Sequence, residues 1–194
     1  MKNDIVLAGV GGQGILSIAA VIGFAAVENK LFLKQSEIHG MSQRGGDVHS
    51  HFRLSDSPVA SDLIPLGHAD IIISVEPMEA LRHLPWLAKK GWIITNSEPF
   101  ININGYPDVD SILDEIGKIK NNIIVNADRI AKEAGSVRTG NIVTLGAASP
   151  FINIPYESLE NGIRQLFGRK GKEIVEMNLR AMKAGRDFTE KKIL

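Results

Sequence analysis

The stretch DIVLAGVGGQGILSIAA, residues 4–20, decides the fold because it joins a strand pattern to a helix pattern through a glycine-rich turn. Residues 5–8 form a short, continuous apolar run, which is typical of a buried strand. Gly9, Gly11 and Gly14 then fit the pattern G-x-G-x-x-G, and apolar residues at helical spacing follow them. In this motif glycine permits a tight turn, close approach of a phosphate, and packing of the helix on the strand. The stretch therefore predicts an anion site at a helix N-terminus.

The rest of the chain alternates strand and helix patterns. Strands are predicted at residues 5–8, 31–34, 48–54, 71–75, 92–95 and 123–126, and helices at 15–28, 78–89, 109–117 and 127–134. This order predicts a Rossmann-like, three-layer α/β/α fold with a largely parallel sheet. No helix pattern separates the second and third strands, so we expect them to pair antiparallel and make the sheet mixed. We expect one domain over residues 1–194, ending in helices from about residue 156.

Composition narrows the possible functions. The 194 residues carry 22 acidic and 22 basic side chains, so the charge predicts no nucleic-acid partner and no anionic membrane surface. No apolar run approaches the ~20 residues of a membrane span, and we expect a cytoplasmic protein. There is no cysteine, hence no disulfide, no thiolate nucleophile and no ligand set for an iron–sulfur cluster. Any redox chemistry therefore needs a bound organic cofactor or a centre on another chain.

The glycine turn alone does not identify its ligand. A dinucleotide site would place an acidic residue about 20 positions on, at the end of the second strand. Here that strand is followed by Lys34, Gln35 and Ser36, with Glu37 in an unusual position. The turn is not a P-loop either, because neither Lys-Ser nor Lys-Thr follows Gly14. It favours a phosphate or another anion, and the residues predicted to bind it are Gly9, Gly11, Gly12, Gln13 and Gly14.

A second motif, SEIHGMSQRGGDVHSHFRL at residues 36–54, is polar and punctuated by glycines. Such a segment ahead of a strand is more often a functional loop than a connection that only shapes a turn. Arg44 beside Gly45 and Gly46 could bind a phosphate or a carboxylate, so all three join the predicted cofactor site. Interface or cleft candidates in the motif are Glu37, His39, Gln43 and His51.

The histidines of the second motif raise the question of a metal site. His49 and His51 lie at i and i+2, on one face of a strand, with His39 nearby in sequence. No cysteine assists them and no third ligand has a recognisable spacing, so a hydrogen-bonded or interface pair is favoured and no metal is predicted. His68 and His83 stand alone in the sequence and are interpreted as structural or exposed.

Two other stretches contribute candidates. Glu76 follows the strand predicted at residues 71–75, where open α/β sheets bind ligands, but it could equally supply charge to a helix N-terminus. The stretch RTGNIVTLGAAS at residues 138–149 is rich in small residues. It is interpreted as a helix packed closely against a neighbour, and as a possible floor of a site.

Taken in order, GVGGQGIL, SEIHGMSQRGGDVHSHFRL, IPLGHADIIISVEPMEALR, NIVTLGA and NLRAMKAG resemble the gamma-type subunit or domain of 2-oxoacid:ferredoxin oxidoreductases. The resemblance extends from about residue 5 to about residue 188. The segment EIHGMSQRGG is far more specific than the glycine turn. Within the family, the indolepyruvate enzymes are the most similar.

The resemblance implies a noncatalytic subunit of a larger enzyme. Such enzymes oxidatively decarboxylate a 2-oxo acid on coenzyme A, giving an acyl-CoA, carbon dioxide and reduced ferredoxin. Thiamine diphosphate and the iron–sulfur clusters would reside on a large alpha subunit, in keeping with the lack of cysteine here. The glycine turn and Arg44 would then hold coenzyme A phosphates or shape a cleft between subunits, and no residue of this chain alone would be catalytic.

Two alternatives stay open at this point. One is a stand-alone nicotinamide-dependent dehydrogenase that uses the glycine turn, and the other is a regulatory nucleotide-binding module. The missing acidic residue after the second strand and the motif at residues 37–46 both favour the oxidoreductase subunit. Its substrate, an arylpyruvate by resemblance, could also be pyruvate or a branched-chain 2-oxo acid.

Overall fold

The first strand, β1 (Lys2–Val10), is buried along almost its whole length, so the sheet must be covered on both faces. In a computed structural model, which describes residues 1–40, 46–101 and 103–193, β1 is a central strand of a six-stranded sheet. The other strands are β2 (Phe32–His39), β3 (Asp47–Ser55), β4 (Ala69–Ser74), β5 (Leu87–Asn96) and β6 (Asn122–Val125). The helices are α1 (Ile15–Glu28), α2 (Pro77–Arg82), α3 (Val109–Gly117), α4 (Ala127–Ala134), α5 (Gly140–Ala148), α6 (Tyr156–Phe167) and α7 (Lys172–Ile193).

The sheet is mixed, as predicted. Its strand order is β2-β3-β1-β4-β5-β6. The pairs β1/β4, β4/β5 and β5/β6 are parallel, whereas β3 pairs antiparallel with both β1 and β2. The first residue of β3, Asp47, therefore lies opposite Val10, the last residue of β1. The start of β3 thus lies at the carboxyl edge of the parallel strands, where α/β sheets bind their ligands.

The helices cover the two faces unequally and complete the predicted three-layer fold. Ile5 and Leu7 of β1 pack into the larger core with α1 and α4–α7, whereas Val6 packs into a smaller core with α2 and α3. This division arises because successive side chains along a strand point to opposite faces of the sheet. None of the helices described is both long and apolar enough to cross a membrane.

The helix predicted in the stretch at residues 138–149 is α5, and it packs closely on α7 as expected. A Cβ built on Gly146 would lie 2.0 Å from the carbonyl oxygen of Met182, and one on Gly185 would lie 2.0 Å from that of Val143. Only glycine permits this approach, so the pair fixes how the last helix sits on the sheet.

Two predicted elements differ from the structure. The helix expected at residues 78–89 ends at Arg82, a short 3₁₀ turn follows at Leu84–Trp86, and β5 starts at Leu87. Pro85 lacks the N–H that a longer α-helix would need. The polar segment from Ser36, expected as a loop, continues β2 as far as His39. This is an edge strand, which can carry polar side chains because its outer edge faces solvent.

Candidate functional site

The glycine-rich turn lies between the end of β1 and the start of α1. Gly12 and Gly14 have φ values of +100° and +82°, in the left-handed region that favours glycine. Gly14 is also the N-cap of α1, where a Cβ would lie 2.5 Å from Nδ2 of Asn141. A Cβ on Gly9 would lie 2.4 Å from Cγ2 of Val75. Glycine is therefore required at these positions for backbone conformation, for close packing, or for both.

Gln13 shapes the turn from within. Its side-chain oxygen accepts a hydrogen bond from the Val10 N–H at 2.8 Å, and its own N–H donates to the Val10 carbonyl at 3.1 Å. The amide oxygen of Gln13, a predicted cofactor-binding residue, thus holds the turn in place.

The structure brings the two sequence motifs together. The N–H of Gly11 donates to the carbonyl oxygen of Gly46 at 3.0 Å, and the N–H of Gly40 donates to that of Asp47 at 2.9 Å. The end of β2 and the start of β3 therefore border the turn. Between them is a pocket of about 570 Å³ lined by Val10, Gly11, Gly12, Gly14, Ile15, Leu16, His39, Gly40 and Val48. We call it the glycine-turn pocket.

The wall of the glycine-turn pocket offers backbone donors to a ligand. In the described part of the chain, the N–H groups of Gly12, Gly14 and Ile15 have no protein acceptor, whereas those of Gly11 and Gln13 have one. The helix α1 has neither a side-chain cap nor an acidic residue in its first turn. Its positive end is therefore not neutralised locally, and the site is suited to an anion.

The second motif is only partly visible at this pocket. His39 lines the pocket with a half-exposed side chain, and its Nε2 contacts the carboxylate of Glu37 on the same strand. Gly46 takes part through its carbonyl oxygen. The remaining candidates of the motif, Gln43, Arg44 and Gly45, lie outside the described residues, and their roles stay predictions.

A second cavity, of about 320 Å³, shares Gly12 and Gln13 with the turn. Gly140 and Asn141, from the stretch at residues 138–149, contribute to its wall. Its charged lining residues are Glu98, Asp128 and Arg138. Burial, followed by the charge of Glu98, raises the pKa of Asp128 above its usual value. Glu98 and Asp128 were not predicted, although both follow the carboxyl ends of predicted strands, where ligands bind.

Glu76 has a structural role in this chain. It is fully buried and caps α2, its Oε2 accepting the Glu79 N–H at 2.8 Å. The hydroxyl of Tyr106 donates to the other carboxylate oxygen. Of the two interpretations of Glu76, the structure favours the one as a helix N-terminal charge.

His51 points away from the glycine-turn pocket. It is buried on the α2 face of the sheet, where its Nδ1 accepts the N–H of Ile64 at 2.9 Å. Burial, with the charges of His49 and His83, lowers its pKa. As the structure places it, His51 supports the segment before β4 instead of lining a cleft.

The structure assembles a polar cluster that the sequence did not reveal. Asp47 and His49 of β3 face Glu79 and His83 from α2 and the residue that follows it, and we call these four residues the β3–α2 cluster. One ligand atom each from Asp47, His49 and His83 lies within 4.8 Å of the others. His83, interpreted as an isolated histidine, is buried, and its ring centroid lies 4.5 Å from that of His49. Only the pairing of strands and helices brings these positions together.

The ionisable groups of this cluster have pKa values shifted in different directions. Burial opposes ionisation of Asp47, but hydrogen bonding to His49 and attraction to His83 lower its pKa overall. Burial raises the pKa of Glu79 to about 7 against the attraction of Arg82, and the neighbouring Asp47 contributes to the rise. Burial is also the main reason that the pKa of His83 is lowered. At neutral pH the cluster therefore favours a neutral His83 beside a charged Asp47.

Comparison with known proteins shows the family of this chain. A family described as pyruvate ferredoxin/flavodoxin oxidoreductase matches residues 4–188. The chain is 40% identical to indolepyruvate oxidoreductase subunit IorB of Archaeoglobus fulgidus, with 95% of this chain and 94% of that protein covered. It is 30% identical to 2-oxoglutarate synthase subunit KorC of Methanocaldococcus jannaschii, with 95% and 92% covered.

Solved structures share the fold of this chain. One is the 2-oxoglutarate:ferredoxin oxidoreductase of Magnetococcus marinus, solved with 2-oxoglutarate, coenzyme A and succinyl-CoA bound. It aligns with a TM-score of 0.77 at 22% identity, and the alignment covers 98% of this chain and 31% of that chain. The gamma subunit of a keto/oxoacid ferredoxin oxidoreductase from Geobacter sulfurreducens aligns with a TM-score of 0.72 at 21% identity, over 97% and 99% of the two chains. The fold is therefore found both as a separate chain and as part of a longer one.

Proposed function

Because this chain belongs to the pyruvate ferredoxin/flavodoxin oxidoreductase family, we propose that it is the small subunit of an indolepyruvate-type 2-oxoacid:ferredoxin oxidoreductase. The observation that carries the proposal is its 35–40% identity, over 95% of its length, to four proteins named as the indolepyruvate oxidoreductase subunit. The relative named for 2-oxoglutarate is more distant, at 30%. An arylpyruvate is thus the favoured substrate class.

The enzyme proposed here converts an arylpyruvate and coenzyme A into an arylacetyl-CoA and carbon dioxide and reduces ferredoxin. Thiamine diphosphate and the iron–sulfur clusters belong to a large partner subunit in this proposal. The present chain has no cysteine, so it cannot supply the thiolate ligands that hold such clusters. Its own contribution in this proposal is to bind and orient coenzyme A.

The topology gives no support to a nicotinamide-dependent dehydrogenase. In a dinucleotide-binding fold the acidic residue for the ribose lies at the end of the strand beside β1. Here β3 lies between β1 and β2. With strands about 4.8 Å apart, the end of β2 is roughly 10 Å from β1. Glu37 is therefore poorly placed for that role and is already paired with His39.

The subunit role is tested by anaerobic purification of the tagged chain from its native cells. Thiamine diphosphate, iron and sulfide are quantified, and viologen reduction is measured with indolepyruvate, pyruvate, 3-methyl-2-oxobutanoate and 2-oxoglutarate, each with coenzyme A. We expect a large cofactor-bearing partner and the highest kcat/KM with indolepyruvate. A complex that prefers another 2-oxo acid would overturn the substrate, and a chain that purifies alone with nicotinamide would overturn the subunit role.

The glycine-turn pocket is, in this proposal, the site for an anionic part of coenzyme A. The support comes from the N–H groups of Gly12, Gly14 and Ile15, from the uncapped N-terminus of α1, and from an adjoining pocket of about 570 Å³. Arg44 follows shortly after Gly40 in sequence and precedes Gly46, and both glycines border this turn. A guanidinium there would complement the backbone donors by binding a phosphate through two hydrogen bonds.

Arg44→Ala tests this assignment in the assembled enzyme. Loss of a charge-assisted contact corresponds to about 1.5–3 kcal/mol, so we expect the KM for coenzyme A to rise roughly 10- to 100-fold while the partner still copurifies. The control Arg169→Ala removes the same side chain from an exposed turn between α6 and α7. An unchanged KM for coenzyme A in Arg44→Ala would contradict the assignment.

A further inference from the structure

The β3–α2 cluster lies on the face of the sheet opposite the glycine-turn pocket and plays no part in the function proposed above. Its three candidate donors are one carboxylate and two imidazoles, within 4.8 Å of one another. Two ligands of a single zinc ion, each at about 2.0–2.1 Å from the metal, lie no more than about 4.2 Å apart. Three ligands in tetrahedral geometry are about 3.4 Å apart, so a shortening of each separation by at most about 1.5 Å would bring all three onto one ion.

The orientation of His83 is the independent observation that points to a ligand. Its Nδ1 lies 2.9 Å from the carbonyl oxygen of Glu79, which can only accept a hydrogen bond. The proton is therefore on Nδ1, and Nε2 carries a lone pair. Histidines that bind metals almost always donate their second N–H to a carbonyl or a carboxylate in this way.

His51 shows the opposite arrangement and serves as an internal contrast. Its Nδ1 accepts a hydrogen bond from the Ile64 N–H, so its Nε2 carries the proton and cannot act as a ligand. The two buried histidines near His49 are thus held in different tautomers. Of these two, His83 is the one whose Nε2 is free to bind a cation.

The carboxylates also favour a cation here. Oδ1 of Asp47 is buried and has no hydrogen-bond partner within residues 1–40, 46–101 and 103–193. The Glu79 carboxyl adjoins Asp47 and also pairs with Arg82 on its own helix. The Asp47 side chain remains 31% exposed, which leaves a path for an ion from solvent.

We propose that Asp47, His49 and His83 bind one divalent transition-metal ion of the zinc type, in contrast to the sequence prediction of no metal. The mixed imidazole and carboxylate donors select for such an ion over Mg²⁺ or Ca²⁺, which prefer oxygen ligands alone. The ion links the first residues of β3 to the C-terminal end of α2. It holds the border of the glycine-turn pocket from the opposite face of the sheet, and its role is structural.

Tryptophan fluorescence gives a local test, because Trp86 packs on the cluster at 5.6 Å from His83 and 6.3 Å from His49, between ring centroids. The second tryptophan, Trp92, stacks on Phe151 elsewhere and is removed by Trp92→Phe. In that background the full chain is titrated with Co²⁺, which quenches a nearby indole, and Zn²⁺ is then added in competition. Equilibrium dialysis with Zn²⁺ gives the stoichiometry.

We expect saturable quenching of Trp86 with one ion per chain, reversal by Zn²⁺, and affinity at least about tenfold lower in His83→Ala and in Asp47→Asn. Asp47→Asn preserves the shape of the side chain, and far-UV circular dichroism verifies that both variants are folded. His68→Ala, which removes an exposed histidine, is the matched control and should bind like the parent. Equal affinity in parent and His83→Ala, an equal loss in His68→Ala, or no binding at pH 7.5 would overturn the proposal. None of these results bears on coenzyme A, which is assayed separately.

Discussion

The start of β3 takes part in two different sites on opposite faces of one sheet. On the α1 face, Val48 lines the glycine-turn pocket. On the α2 face, its neighbours Asp47 and His49 belong to the β3–α2 cluster. The pocket is built mainly from backbone groups that are close in sequence, whereas the cluster is built from side chains of two separate elements.

This difference predicts opposite sensitivities to substitution. The pocket depends on glycines that have a left-handed φ, a crowded Cβ position, or both, so even alanine should damage it. The cluster depends on particular functional groups, so it should tolerate changes of side-chain shape better than changes of side-chain chemistry. Comparing the effects of substitutions in the two regions therefore tests whether the pocket depends on backbone and the cluster on side chains.

Gly14→Ala should have the largest effect on stability. It forces alanine into a left-handed φ, at about 1–2 kcal/mol, and places a Cβ 2.5 Å from Nδ2 of Asn141, which adds roughly 1–3 kcal/mol. We expect the free energy of unfolding in urea to fall by about 2–5 kcal/mol. The double variant with Asn141→Ala removes the clashing amide, so the cost of adding Gly14→Ala to Asn141→Ala should be smaller. An equal cost in both backgrounds would contradict the packing argument.

His51→Leu, on the same face of the sheet as the β3–α2 cluster, should have the next largest effect on stability. Leucine fills a similar volume but cannot accept the hydrogen bond of the Ile64 N–H, which becomes unpaired in a buried position. We expect a loss of about 1–3 kcal/mol, measured by urea denaturation, and faster proteolysis before β4. His68→Leu, at an exposed site, is the control and should change stability by less than about 0.5 kcal/mol. If the two variants were equally stable, the Ile64 contact would not matter.

Gly12→Ala isolates backbone conformation from packing, because no atom lies within 4 Å of a Cβ at this position while φ is +100°. We expect a cost of roughly 1–2 kcal/mol in thermal or chemical unfolding. Gly117→Ala meets equally open space at the end of α3 without a positive φ, and should be neutral or slightly stabilising. If both substitutions changed stability equally, the positive φ of Gly12 would not be the source of the cost.

His39→Ala should have the smallest effect on stability and a clear effect on binding. Its side chain is 58% exposed and its contact with Glu37 is at the surface, so the loss of stability should be below about 0.5 kcal/mol. Because His39 lines the glycine-turn pocket, we expect a severalfold higher KM for coenzyme A in the assembled enzyme. A large loss of stability with an unchanged KM for coenzyme A would contradict the role of His39 in binding and indicate a structural role instead.

The contrast between the two sites also explains what could be predicted from the sequence. The glycine turn and the helix after it are local features, and the predicted bounds of α1, residues 15–28, agree with the structure. The mixed sheet followed from the lack of a helix pattern between two strands. Such features depend on neighbouring residues, which a sequence shows directly.

The β3–α2 cluster could not be predicted because it depends on long-range pairing. His49 and His83 meet only because α2 packs on the face of the sheet to which β3 turns its odd-numbered residues. A histidine that is isolated in sequence gives no sign of this. Likewise, the extension of β2 to His39 depends on pairing with β3, since its polar residues resemble a loop.

The most direct test of the central claim, that the glycine-turn pocket binds coenzyme A, is amide hydrogen exchange in the assembled enzyme with and without coenzyme A. Peptides covering residues 9–18 contain the donors Gly12, Gly14 and Ile15. We predict that saturating coenzyme A slows exchange in these peptides and leaves α3, on the other face of the sheet, unchanged. If viologen reduction shows that the enzyme is saturated while exchange at residues 9–18 stays the same, coenzyme A binds elsewhere and the account is contradicted.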